Sequence, residues 1–166
     1  MTLTSRLLCV VTLGLTLSAC GSTQDGNIEM NESMTQDEAA TKVQEHIDGT
    51  LTALPDEAEL ETRRGTLFAA CDDPTDGGSR DRVTVSETFW VRGLRVEDNE
   101  TNVDLILDYW NSNGYEVVRD RRPEKTSISV NHAEDAFSVS VRISDDGSFS
   151  LAASSPCVWP EGTPNS

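Results

Sequence analysis

Lysine is nearly absent. Only Lys42 and Lys125 occur in 166 residues, and 13 basic side chains in all stand against 29 Asp and Glu. The resulting formal charge of −16 repels nucleic acid and anionic lipid headgroups, so neither is expected as a partner. Histidine is as scarce: His46 and His132 are too far apart in the chain to form an i,i+4 zinc pair or an HExxH helix. The chain also lacks a G-x-S-x-G elbow, an S-x-x-K, a Walker loop and a G-x-G-x-x-G. These absences assign no catalytic residue, no metal ligand and no cofactor. No apolar run approaches the ~20 residues of a membrane-spanning helix.

What is present begins with an address. Arg6 gives a positive start, and Leu7, Leu8, Val10, Val11, Leu13, Leu15 and Leu17 form an apolar stretch of export-signal length. Leu17-Ser18-Ala19-Cys20 then sets small residues before a cysteine. This segment resembles the lipobox of bacterial lipoproteins. The resemblance implies a signal peptide over residues 1–19, diacylation of Cys20, and a mature chain lipid-anchored on the extracytoplasmic face of the cell membrane. Two acyl chains hold stably where one holds marginally, at ~0.8 kcal/mol per buried CH₂. Loss of Arg6 would leave 12 basic against 29 acidic residues, a mature charge of −17.

Residues 20–34 then read as the lipidated cysteine and a polar tether, 35–160 as one domain, and 161–166 as a disordered tail. Processing and lipidation would leave Cys71 and Cys157 as the remaining thiols. In an oxidising compartment one pair allows one connectivity, so a Cys71–Cys157 disulfide is expected.

Within the domain, Thr35 and Glu38 form a capping box before a helix bearing Ala39, Val43, Ile47, Leu51 and Leu54 on one face, with Gly49 weakening its last turns. Residues 64–70 read as a strand. Val83, Val85, Phe89 and Val91 alternate with Thr84, Ser86, Thr88, Trp90 and Arg92 in the next, where Glu87 breaks the pattern. Asp98 or Asn99 can cap a second helix through Val103, Ile106, Leu107 and Trp110, stopped by Asn113-Gly114. Strands beginning at Tyr115 and around Ile128, Val139 and Leu151 follow. The order α-β-β-α-β-β-β-β predicts an α+β fold, with an antiparallel sheet of about five to six strands and two helices on one face.

The other sheet face is rich in Ser and Thr. Trp90, Arg92 and Thr88 are its candidate binding residues, for an extracellular protein or small ligand. The acidic loop at Asp72, Asp73, Asp76 and Asp81 fails the calcium-loop pattern, since Pro74 and Val83 stand where ligands are required. The basic cluster Arg119–Pro123 reads as a solvated hairpin connection. The lipobox, the loop after Cys71, the passage Trp110…Gly114-Tyr115-Glu116-Val117 and the closing Ser155-Pro156-Cys157 are similar to small secreted actinobacterial lipoproteins of largely unassigned activity. The resemblance implies anchoring and fold and carries over no catalytic residue. A non-enzymatic binding or accessory module is the leading expectation. The alternative, an exported hydrolase or metal-dependent enzyme, would require a histidine gathered with two carboxylates and a nucleophile.

Mass spectrometry of the membrane fraction is expected to find a diacylglyceryl group on Cys20. The Cys20→Ala chain should be unlipidated; an acylated variant would refute the anchor.

Overall fold

The computed structural model describes residues 34–71, 79 and 81–163. The signal segment, Cys20, the tether up to residue 33 and residues 164–166 lie outside the described residues, as do Asp72, Asp73 and Asp76 of the acidic loop. Among the described residues two α-helices and six strands follow the expected order: α1 (Gln36–Leu51), β1 (Glu59–Ala70), β2 (Val83–Arg92), α2 (Asn99–Ser112), β3 (Tyr115–Asp120), β4 (Ser127–His132), β5 (Ser138–Ile143) and β6 (Phe149–Ser154). All strand pairs are antiparallel in one sheet of order β1-β2-β6-β5-β4-β3. The fold is α+β, as the alternation of apolar residues requires.

Helix α1 starts where its capping box places it. The Glu38 N–H donates to the Thr35 hydroxyl at 3.2 Å, and the Thr35 N–H donates to Glu38 Oε2 at 2.9 Å. Its stripe of Ala39, Val43 and Ile47 is fully buried, and the helix packs over β2 and β6. Met34, assigned to the tether from sequence, is already buried in this core. Residues 161–163, assigned to the tail, continue from a turn in which the Gly162 N–H donates to the Trp159 carbonyl at 3.0 Å.

Gly49 does not fray the helix, which continues to Leu51. A Cβ at this position would stand 2.5 Å from Tyr109 Oη, so the missing side chain lets α2 approach α1 closely. The fully buried Trp110 completes that junction, its Nε1 donating to the Thr50 hydroxyl at 3.0 Å, while Thr50 donates to the His46 carbonyl at 2.8 Å.

The entry to α2 differs from the sequence expectation. A single 3₁₀ turn, Val96–Asp98, precedes it, and Asp98 makes no side-chain cap. Asn99 lies one residue inside the helix, and its Nδ2 donates instead to the Gly147 carbonyl at 3.0 Å. The amide thus pins the helix start to the β5–β6 turn. The exit is as expected: Gly114 follows the C-cap at φ 79°, a left-handed conformation that glycine adopts without strain.

Strand β1 begins five residues earlier than expected, at Glu59. It forms one edge of the sheet, and register shifts between Thr62 and Arg64 and between Arg64 and Leu67 kink it. Almost every residue along it is exposed, which removes the burial signal that sequence reading depends on. Such bulges also discourage pairing with a foreign strand. The expected cross-link is present: Cys71, just past β1, is bonded to Cys157 across 86 residues, with Cα atoms 5.8 Å apart.

Closing a loop of 86 residues restricts the unfolded chain by up to ~4–5 kcal/mol on the chain-entropy argument. The native protein should show no reactive thiol at Cys71 or Cys157. Its denaturant midpoint should fall when a reductant is added; an unchanged midpoint would show that the bond contributes nothing to stability.

Candidate functional site

Two regions gather chemistry, one inside the helix–sheet layer and one on the open face of the sheet.

The inner cluster centres on Asp135, in the connection between β4 and β5. Its carboxylate is buried and accepts from four donors. His132 Nδ1, at the end of β4, lies 2.8 Å from Oδ1, and the Phe137 N–H reaches the same oxygen at 3.4 Å. Lys42 Nζ and His46 Nε2, one turn apart on α1, reach Oδ2 at 3.2 and 3.3 Å. The other nitrogen of His46, Nδ1, lies 2.6 Å from Tyr115 Oη at the start of β3. His46 stacks on Phe137 at a centroid distance of 5.0 Å, and Tyr115 tilts against His132 at 4.8 Å.

Burial lowers the His46 pKa, and the attraction of Asp135 offsets only part of that, so the ring is neutral near pH 7. Neutral His46 has one donor and one acceptor. Nε2–H therefore donates to Asp135, and Nδ1 accepts from the Tyr115 hydroxyl. Burial alone would raise Asp135, yet the hydrogen bond from His132 and the interactions with His46 and Lys42 outweigh it and hold the carboxyl below its usual range. Tyr115 is pushed well above its ordinary value, chiefly by burial and then by Tyr109 and Asp135. Such a phenol stays protonated and serves as a hydrogen-bond donor, not as a nucleophile.

Sequence reading left His46 and His132 unconnected and did not select Asp135, Tyr115 or Lys42. One signal was available. His46 sits beside Ile47 on the buried stripe of α1, where a polar ring needs partners.

The open face is read from the registers. One row across the sheet runs Glu61, Trp90, Ser150, Arg142, Ser127; the next runs Arg64, Thr88, Ala152, Ser140, Ser129, Arg119. A third runs Leu67, Ser86, Ser154, Ser138, Asn131, Glu116. Both helices pack against the opposite face, where the apolar partners of these residues are buried. The floor is thus made of short hydroxyl side chains, and the taller charged ones stand at its rims.

Trp90, Arg92 and Thr88 all lie on this face, as expected. The environment of Trp90 is more polar than an isolated aromatic anchor. Its ring is half-buried, with the Arg63 guanidinium 4.3 Å and the Arg92 guanidinium 5.3 Å from its centre. Arg92 in turn holds Glu61 bidentately at 2.9 and 3.0 Å. The face therefore carries Arg63, Arg64, Arg92, Arg119 and Arg142 against Glu59, Glu61 and Glu116, with Asp146 of the β5–β6 turn also acting on Arg92. In a chain of formal charge −16, it is a locally positive surface.

Elsewhere, Arg122 of the basic cluster pairs with Asp120 at 2.7 Å and Asp104 at 3.3 Å, a solvated connection facing acidic neighbours. Asp81 accepts from the Ser79 hydroxyl at 3.1 Å. Cys20 lies outside the described residues.

No protein-family profile matches the chain, and no curated protein matches it. Among solved structures, the crystal structure of LppA, a candidate lipoprotein from Mycobacterium tuberculosis, is similar at 12% identity and a TM-score of 0.43, covering 84% of this chain and 91% of that one.

Replacing Asp135 by Ala would strip Lys42, His46 and His132 of a buried acceptor. The unfolding free energy should fall by ~2–4 kcal/mol, against ~1 kcal/mol for Tyr115→Phe, which removes one donor. Denaturant unfolding of both variants measures this, and equal losses would contradict a carboxylate-centred network.

Proposed function

We propose that the chain is a non-enzymatic binding module, lipid-anchored through Cys20 on the extracytoplasmic face of a membrane, which holds an anionic glycan on the open face of its sheet. The observation that carries this reading is the inversion of charge between that face and the whole molecule.

The physical case follows from the spacing of strands. Six strands at ~4.8 Å present a floor roughly 24 Å wide, long enough for several sugar units. Ser86, Thr88, Ser129, Ser138 and Ser140 offer hydroxyls that both donate and accept, matching the hydroxyls of a polysaccharide. Arg64 and Arg119 sit at opposite ends of one row, on β1 and β3, where guanidinium groups can fork onto carboxylates or phosphates. Charges beyond a Debye length of ~8 Å are screened at physiological ionic strength. The local arginines therefore decide the contact, and the acidic remainder of the molecule disfavours other orientations.

Within the described residues no helix is long and apolar enough to cross a membrane. The His46–Asp135–His132 cluster supplies one carboxylate and a phenol held protonated. That falls short of the two carboxylates and nucleophile that the hydrolase alternative requires.

Immobilised polygalacturonate, a carboxylated glycan, should retain the protein at low salt and release it as salt rises, whereas neutral dextran should not retain it. Combining Arg64→Glu with Arg119→Glu should weaken retention about tenfold or more, since two attractions become repulsions. Equal retention of the double variant, or no retention of the native protein, would refute the reading.

A further inference from the structure

The inner cluster is independent of the open face, and its donor set has the composition of a metal centre. We propose that His46, His132 and Asp135 form a divalent-cation site of the zinc class, with Lys42 occupying the cation's place when the metal is absent.

The candidate ligand atoms of the three residues lie within 4.8 Å of one another. Zinc bonds of ~2.0–2.1 Å to nitrogen and oxygen set neighbouring ligands roughly 3.3 Å apart in a tetrahedron. The His46 Nε2 to Asp135 Oδ2 distance of 3.3 Å already equals such an edge, while His132 Nδ1 lies 2.8 Å from the other oxygen, Oδ1, so the carboxylate or that ring must turn for all three to share one metal. The widest separation must close by about 1.5 Å to reach a tetrahedral edge. His132 can supply that movement, because it stands at a strand end and retains 18% side-chain exposure.

For His46 the surroundings also fit the second requirement of a metal site, a partner that fixes the imidazole through its other nitrogen. With a metal on Nε2 of His46, the ring proton moves to Nδ1 and donates to Tyr115 Oη, which is already 2.6 Å away. The tyrosine hydroxyl turns from donor to acceptor without moving its oxygen. His132 binds through Nδ1 and carries its proton on Nε2. Asp135 remains the carboxylate ligand and exchanges one positive partner for another. Lys42 is 36% exposed and its long stem can carry the ammonium into water. Two imidazoles and one carboxylate leave a fourth position open, the composition of a zinc site that also takes water or an external ligand.

The ligands come from three separate places: α1, the end of β4 and the β4–β5 connection. No local spacing motif announces them, which is why the chain shows no zinc signature in sequence.

Chelator-treated full-length protein titrated with Zn²⁺ by calorimetry should bind one equivalent with a dissociation constant in the micromolar range or below. His132→Ala removes a ligand at a partly exposed position, and should weaken binding about tenfold or more while its circular dichroism stays native. Lys42→Ala removes the competing cation and should bind zinc more tightly. Absence of one-to-one binding in the native protein overturns the proposal. So does unchanged affinity in folded His132→Ala, or affinity unchanged or weakened in Lys42→Ala. The readout is metal alone, so a failure here leaves the glycan reading standing, and a failure of that reading leaves this one untouched.

Discussion

A sheet covered by helices on one side must place opposite chemistry on alternate residues of the strands beneath them, and that constraint governs the core of the molecule. Val85, Phe89, Val91, Ile128, Val130, Val139, Val141 and Leu151 are all buried beneath α1 and α2. A slip of one residue in any of these covered strands would turn its apolar set to water. At ~25 cal/mol per Å² of apolar surface, the cost of such a slip would exceed the net stability of a typical domain once several strands were involved. Register is therefore fixed by burial, and with it the identity of every residue on the open face. The rows of serine, threonine and arginine are aligned because their apolar neighbours are.

The same layer must also absorb the Asp135 carboxylate and the basic side chains that meet it. His46 and Asp135 lie within it, and the Lys42 ammonium reaches in from its edge. Each would cost several kcal/mol if left unpaired in a low-dielectric setting. The arrangement avoids that by giving one carboxylate four donors, drawn from α1, from β4 and from the β4–β5 connection. Among the described residues no buried side-chain nitrogen or oxygen lacks a partner. A network so closed fixes where α1 sits along the sheet, as packing of Ala39, Val43 and Ile47 against smooth β-branched neighbours could not do alone.

The elements that could be read from the chain were those in which burial and spacing agree. α1, β2, β4, β5 and β6 carry apolar residues at regular spacing, interrupted in β2 at Glu87, and their structures follow it. β1 lacked the signal because an edge strand with two register shifts exposes nearly all its residues, leaving no alternation to detect. The start of α2 was misread because Asn99 spends its amide on a turn that is distant in sequence, a tertiary choice that overrides local capping. The cluster around Asp135 was invisible for a related reason. Tyr115 and Asp135 lie 69 and 89 residues from His46, and only the fold makes them its neighbours. On the open face the residue types were legible, but the opposed placement of Arg64 and Arg119 needed the strand order β1-β2-β6-β5-β4-β3, which places sequence-distant strands at its two edges.

That strand order also separates the two chemistries. The arginines line the uncovered side, where long side chains stay hydrated, and the histidines lie under the helices, where desolvation keeps His46 neutral. A charge on the open face is screened within ~8 Å, while the sheet and its apolar layer, roughly 10 Å thick, stand between it and Asp135. Binding an anion on one side and exchanging Lys42 for a metal on the other are consequently almost uncoupled electrostatically. The strands that touch both are β3, which begins at Tyr115 beside the cluster and carries Arg119 to the open face, and β4, which carries Ser129 to that face and ends at His132.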